Sequence, residues 1–135
     1  MTPRRLVSIG RLWGQRGVST LEFIVVLPFL LMVLFAIVEM SRAWLMLNLV
    51  TMAAREGARV AAVVSPDEVT AAGTARIDQI LTPGTWTGTV TCADPCEPDS
   101  QVQATVAVTF ATLVPLLAPM LGTFAIAQTA TVRYE

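Results

Sequence analysis

The chain has 135 residues, 54% of them hydrophobic and 14% charged, with a mean hydropathy of +0.64, too apolar for an ordinary soluble domain of that length. The net charge of -1 conceals an asymmetry: Arg4, Arg5, Arg11 and Arg16 precede Gly17 without an acid among them, and the rest carries five Arg against ten Asp and Glu, a balance of -5. A stretch that acidic is a poor candidate for nucleic-acid binding, which needs basic surface against phosphate.

The first element is apolar. Phe23 to Val38, FIVVLPFLLMVLFAIV, is an unbroken run, and extending it back to Val18 gives 21 residues interrupted only by Ser19, Thr20 and Glu22. About 20 helical residues cross a bilayer's hydrocarbon core, so this segment is long enough to span. The upstream Arg residues place the N-terminus on the cytoplasmic side and the remainder outside. Pro28 removes one helical hydrogen bond, as a functional bend or a tolerated irregularity.

A conventional secretory signal has its apolar region before the cut and loses it. Here the basic stretch ends in Arg16-Gly17 and the apolar run follows: Gly17, then Val18-Ser19-Thr20-Leu21-Glu22-Phe23. This resembles the prepilin pattern, in which a membrane peptidase cuts after Gly and Glu stands at the fifth mature position. The resemblance implies a 17-residue leader, a processing site at Gly17 and Val18, and an assembly role for Glu22. A carboxylate in an apolar segment costs about 2.5–3.5 kcal/mol on insertion scales and is usually paired. The new amine at Val18, on the same or a neighbouring subunit, would offset that cost and fix axial register. The bland reading leaves Glu22 at the headgroup level without a role.

Beyond Val38 no break signal intervenes, and one helix is expected from 18 to 64, spanning over 18–38 and extending amphipathically over 39–64. At 1.5 Å per residue it far exceeds what a bilayer needs. Glu39 and Arg42 share a face, as do Arg55 and Arg59. Ala53, Ala54, Gly57, Ala58, Ala61 and Ala62 form a small-residue surface, either for close approach of another helix or for packing on the chain's own domain.

These elements together resemble the TadE-like family, minor pseudopilins of the Tad/Flp tight-adherence pilus system. Glu22-Phe23, Leu27-Pro28, Ile37-Val38-Glu39 and the closing AAREGAR of Ala53 to Arg59 match that family's pattern in order. Val18 departs from it, since small Ala-type residues are common at the first mature position, and N-methylation there stays open. The resemblance implies a pilin-like α+β fold and a structural assembly role. It also implies a prepilin peptidase and other pilins or pseudopilins as partners, in a hetero-oligomer. The location expected is the bacterial inner membrane, single-pass and in contact with its lipid, with incorporation into an extracellular pilus. The alternative is an uncleaved single-pass anchored adaptor of a secretion or adhesion system.

Residues 65–135 are expected to form a small outward-facing α+β domain. Ser65-Pro66-Asp67-Glu68 predicts a helix start, with Ser65 as N-cap, Pro66 at the first position and Glu68 closing a capping box. The helix runs to about Leu81 with Val69, Ala72, Ile77 and Ile80 as its inner face, weakened by Gly73. Trp86 to Cys92, Gln101 to Phe110 and Phe124 to Tyr134 predict three strands, the second alternating Val102, Ala104, Val106, Val108 and Phe110 with more polar residues. The third places Phe124, Ile126, Val132 and Tyr134 on one face. An antiparallel meander against the long helix buries these faces.

Cys92 and Cys96 bracket a turn, and a disulfide that stiffens it outside the cytoplasm is the expectation over a redox role, because redox pairs read C-x-x-C. Thr112 to Thr123, TLVPLLAPMLGT, is apolar, too short to span and interrupted by Pro115 and Pro119. It is either core or an exposed patch for a partner or the bilayer surface, the second being favoured. No His is present, removing the commonest general base and metal ligand. No metal, cofactor or small-molecule substrate is called for, and no nucleophile motif, paired-acid arrangement or phosphate loop speaks for an enzyme.

Overall fold

The computed structural model describes residues 14–93, 95–115 and 118–135. The chain divides into two compact units, Met1–Ile37 and Val38–Glu135. Helix α1 covers Gly14–Ala61, with Pro28 inside it. It begins four residues before the expected Val18, because neither Gly14 nor Gly17 interrupts a helix that the apolar run propagates. In the first unit the large side chains from Leu21 onward are exposed, Phe29 by 68% and Val25 by 72%. The helix is long and apolar enough to cross a membrane, and the most apolar stretch has none of its residues buried.

The second unit is α+β, as expected. Helix α1 ends at Ala61, three residues earlier than the sequence suggests. Pro66 holds Ser65 in an extended conformation (φ -58°, ψ 149°), and the chain turns before it. A 3-10 turn, Pro66–Glu68, leads into α2, Val69–Ile80. The expected capping box does not form: the Ser65 hydroxyl donates to the Glu68 carboxylate at 3.0 Å, and no side chain caps the backbone. Strands β1 (Trp86–Cys92), β2 (Gln101–Ala111) and β3 (Thr123–Arg133) make an antiparallel meander in the order β1-β2-β3. A one-turn helix, α3 (Ala118–Leu121), lies in the β2–β3 connection, the length the two prolines leave available.

One core joins the three layers. Val50, Ala53, Ala54, Ala58, Ala61 and Ala62 come from α1 and its end, Val69 and Ile77 from α2, and Val90, Val102, Ala104, Val106 and Val108 from the sheet. Each fully buried Val or Ile contributes about 1.5–3 kcal/mol of transfer free energy. Strand β2 alternates as expected, its even-numbered residues Val102 to Phe110 all buried. On β3 only Ile126 is buried; Phe124 stays 42% exposed because it sits at the sheet's end, its ring 5.1 Å from that of Phe110.

The inner face of α2 is Val69, Gly73 and Ile77, a straight i, i+4, i+8 row, with Ala72 and Ile80 at its half-buried margins. Gly73 is the point of closest approach. A Cβ there would stand 2.7 Å from Val90 Cγ1 and 3.2 Å from the Gly57 carbonyl, and one at Gly57 would stand 2.8 Å from Ile77 Cγ1. The residue expected to weaken α2 is what lets it seat between α1 and β1.

The end of α1 is closed by Tyr134 and Glu135. Helix ends leave carbonyls without intrahelical partners. Beyond Ala61, the Ala62 carbonyl accepts from the Glu135 N–H at 3.0 Å, and the Val64 carbonyl from the Tyr134 hydroxyl at 2.6 Å.

Candidate functional site

The most elaborated polar site in the second unit is built on Glu39, the first residue after the apolar run. It is only 2% exposed, because it lies on the same face of α1 as Ala43, Met46 and Val50, which turn toward the core. Its Oε2 accepts from Arg42, one turn along, at 2.6 Å. Its Oε1 accepts the backbone N–H groups of Leu113 at 2.8 Å and Val114 at 3.0 Å. Both donors lie just beyond the end of β2 at Ala111, where the ladder no longer supplies acceptors.

The connection they open is a closed loop. Thr112 Oγ1 donates to the Gly122 carbonyl at 2.8 Å, and the N–H groups of Ala118 and Gly122 reach the carbonyls of Val114 and Ala118. Arg42 in turn lies 5.2 Å over the Phe110 ring, a cation–π contact that holds it on the sheet side. Burial pushes the Glu39 carboxyl up, but the Leu113 and Val114 N–H groups and the Arg42 charge outweigh it and hold the group below its ordinary 4.5. A carboxylate with both oxygens engaged is a fastening and not a proton carrier.

Sequence reading noticed that Glu39 and Arg42 share a face but missed the site. A lone acid directly after sixteen apolar residues, followed by Arg at i+3, was the available signal. The backbone partners lie 74 and 75 residues away and have no side-chain signature.

The other expected residues fall in three places. Ala54, Ala58 and Ala61 are buried in the domain core, and Gly57 faces Ile77 and Gly73. In AAREGAR the small residues therefore pack inward on the chain's own domain, while Arg55 and Arg59 are exposed. Between them Glu56 pairs with Arg59 at 3.7 Å and with Arg76 of α2 at 3.4 Å. Cys92 and Cys96 are joined by a disulfide at the end of β1. Gly17 and Val18 lie within the backbone of α1, and Glu22 is exposed on it. Arg4, Arg5 and Arg11 of the expected leader lie outside the described residues, as do Leu116 and Leu117 of the apolar loop. Among the described residues, no group of three or more His, Cys, Asp or Glu could hold a metal ion.

Residues 17–59 match the family model described as TadE-like protein, the family that the sequence pattern resembles. Comparison with curated proteins finds no match, and neither does comparison with solved structures.

Proposed function

We propose that this TadE-like chain is a minor pseudopilin, a structural assembly subunit of a Tad-type pilus, processed by a prepilin peptidase after Gly17. The family match points to a Tad pilus-associated protein, of a structural and assembly family. The observation that carries the finer reading is where the match begins: at Gly17 itself, directly before VSTLEF and the apolar run. A cut there leaves the anchor on the mature subunit, with a free amine at Val18 near Glu22. The basic leader sets the N-terminus in the cytoplasm, and the second unit faces outward. Glu22 pairs with the Val18 amine of its own or a neighbouring subunit, and the partners are related pilins or pseudopilins packed through the apolar helix.

A second reading is favoured by one observation. Helix α1 runs unbroken through Gly17, and an uncleaved signal anchor of an adaptor would have that form. Mass spectrometry of the membrane-extracted chain, co-expressed with its prepilin peptidase, separates the two. The pseudopilin reading gives a mature N-terminus at Val18, abolished by Gly17→Leu. An intact N-terminus under those conditions supports the adaptor. A Glu22→Ala chain that is processed but fails to join its partner subunits supports the charge pair, and normal assembly of that variant removes it.

A further inference from the structure

The two edges of the sheet are finished differently. The edge at β1 is covered by α2: the Thr70 hydroxyl donates to the Val90 carbonyl at 3.0 Å, the Trp86 indole N–H donates to Asp78 at 2.8 Å, and Gly73 seats against Val90. Strand β3, at the other edge, is 11 residues long, contains no Pro and carries no charge before Arg133. Short length, Pro and charge are the usual devices that keep an exposed edge from pairing with another chain. Strand β3 has none of them along its first ten residues.

The backbone direction along β3 follows from its end. Tyr134 donates its N–H to the Ser100 carbonyl at 2.8 Å and accepts from the Asp99 N–H at 2.9 Å, so its peptide groups face the β2 side. In an antiparallel ladder that direction alternates residue by residue. The even-numbered residues of β3 therefore bond to β2, and Ala125, Ala127, Thr129, Thr131 and Arg133 turn their N–H and carbonyl groups to the open edge. Among the described residues, none of these outward backbone groups meets a partner. Beside them lies a groove of about 230 Å³, between Thr51, Ala54 and Arg55 of α1 and residues 128–132 of β3. Arg55 is exposed and, among the described residues, makes no ion pair, whereas Arg42, Arg59, Arg76 and Arg133 each have an acid within 3.7 Å.

We propose that the open edge of β3 is a strand-addition site: an extended segment of a partner protein pairs with residues 127–133 as a fourth strand and lays a carboxylate beside Arg55. In such pairing main-chain bonds supply the affinity, and side chains that meet pockets set the register. The groove centres on Ala130, whose small side chain turns toward the core side of the sheet. The acid of the added strand therefore stands opposite Ala130, and the residues flanking it lie beside Thr129 and Thr131 on the outer face. Charge selects the occupant, since the one cation of the groove has no acid of its own. A second copy of the chain does not supply one: its β3 has no acid, and its β1 edge is covered by α2. The site lies wholly within the second unit and does not depend on a cut after Gly17.

The test titrates the full chain, in neutral detergent micelles under non-reducing conditions, against a blocked, fluorescein-labelled peptide that alternates Val and Thr around one central Glu, read by fluorescence anisotropy. Saturable binding is expected, several-fold tighter than that of the same peptide with Lys in place of the Glu, and Arg55→Glu reverses that order. Thr131→Pro removes an outward N–H without removing a bond to β2, and is expected to weaken both peptides several-fold while the thermal transition stays in place. Should that variant not fold, the parent chain carries the same check: a peptide N-methylated on the amides that would face β3 is expected not to bind. No saturable binding of the Glu peptide overturns the site, and so does binding that survives N-methylation. Equal affinity for the Glu and Lys peptides overturns the acidic occupant. Self-association of the parent chain that Thr131→Pro abolishes makes a second copy the occupant and overturns the proposal.

Discussion

The two stretches of α1 solve opposite problems with one backbone. From Leu21 to Ile37 the helix carries Leu, Phe, Val and Ile on all sides, all exposed, and makes no use of small residues for packing. From Val50 to Ala61 the buried positions are almost all Ala and Gly, and charge is kept to the outside through Arg55, Glu56 and Arg59. The first stretch has its apolar surface to offer to lipid or to other helices, so bulk is what matters. The second has to let α2 and a sheet come close, so bulk is what must be absent. Mean apolarity does not distinguish them; side-chain size does.

The sharpest way to break this contrast is to add one methyl group where the second unit has no room. A Cβ at Gly88 would run into the backbone carbonyl of Thr105 on the paired strand, which cannot turn aside. Gly88→Ala is expected to prevent β1 from pairing with β2, a loss of more than about 3 kcal/mol, read as loss of the cooperative thermal transition of the full chain in detergent micelles. Gly73→Ala meets the flexible tip of Val90 as well as the Gly57 carbonyl, so part of the strain relaxes, and a loss of about 1–3 kcal/mol is expected in the same measurement.

Glu39→Gln keeps an acceptor for Leu113 and Val114 but loses the charge that pairs with Arg42. The domain should keep its core, while the 112–122 loop becomes cleavable in limited proteolysis. The same loosening should follow acidification. Because the native carboxyl titrates below its ordinary 4.5, its contribution is complete above that value and is lost as pH falls through the lower native one. Loop protection in the parent chain should therefore decline only below about pH 4.5, and in Glu39→Gln should no longer change over that range. The smallest effect is expected in the first stretch. Leu30→Ala, at a position 50% exposed, leaves no cavity, and the domain's transition should shift by less than about 0.5 kcal/mol. A large shift there would mean that the first stretch is part of the domain's stability after all.

The strands were legible because their pattern is local. Val102 to Phe110 alternate with a period of two, and turn residues bound all three strands, so order and extent follow closely. The long apolar helix was legible from length and composition alone. Faces were harder. Gly73 reads as a weakness in any propensity scale, and only the presence of Gly57 and Val90 across from it turns it into a contact. Phe124 fits the alternation of β3 but lies where the sheet ends and little covers it. Glu39 was least legible, since a carboxylate that fastens backbone N–H groups recruits whatever sequence the loop happens to carry.

The clasp of Tyr134 and Glu135 on the end of α1 also orders events in time. Val64 and Tyr134 are 70 residues apart, so the second unit cannot close until residue 135 has been made. The apolar helix is local and is synthesised first, and helical turns form far faster than long-range pairing. The two parts of the chain thereby differ in what they wait for: the first stretch of α1 forms on local bonds alone, whereas the core of the second unit closes only when residues some 70 positions apart have met.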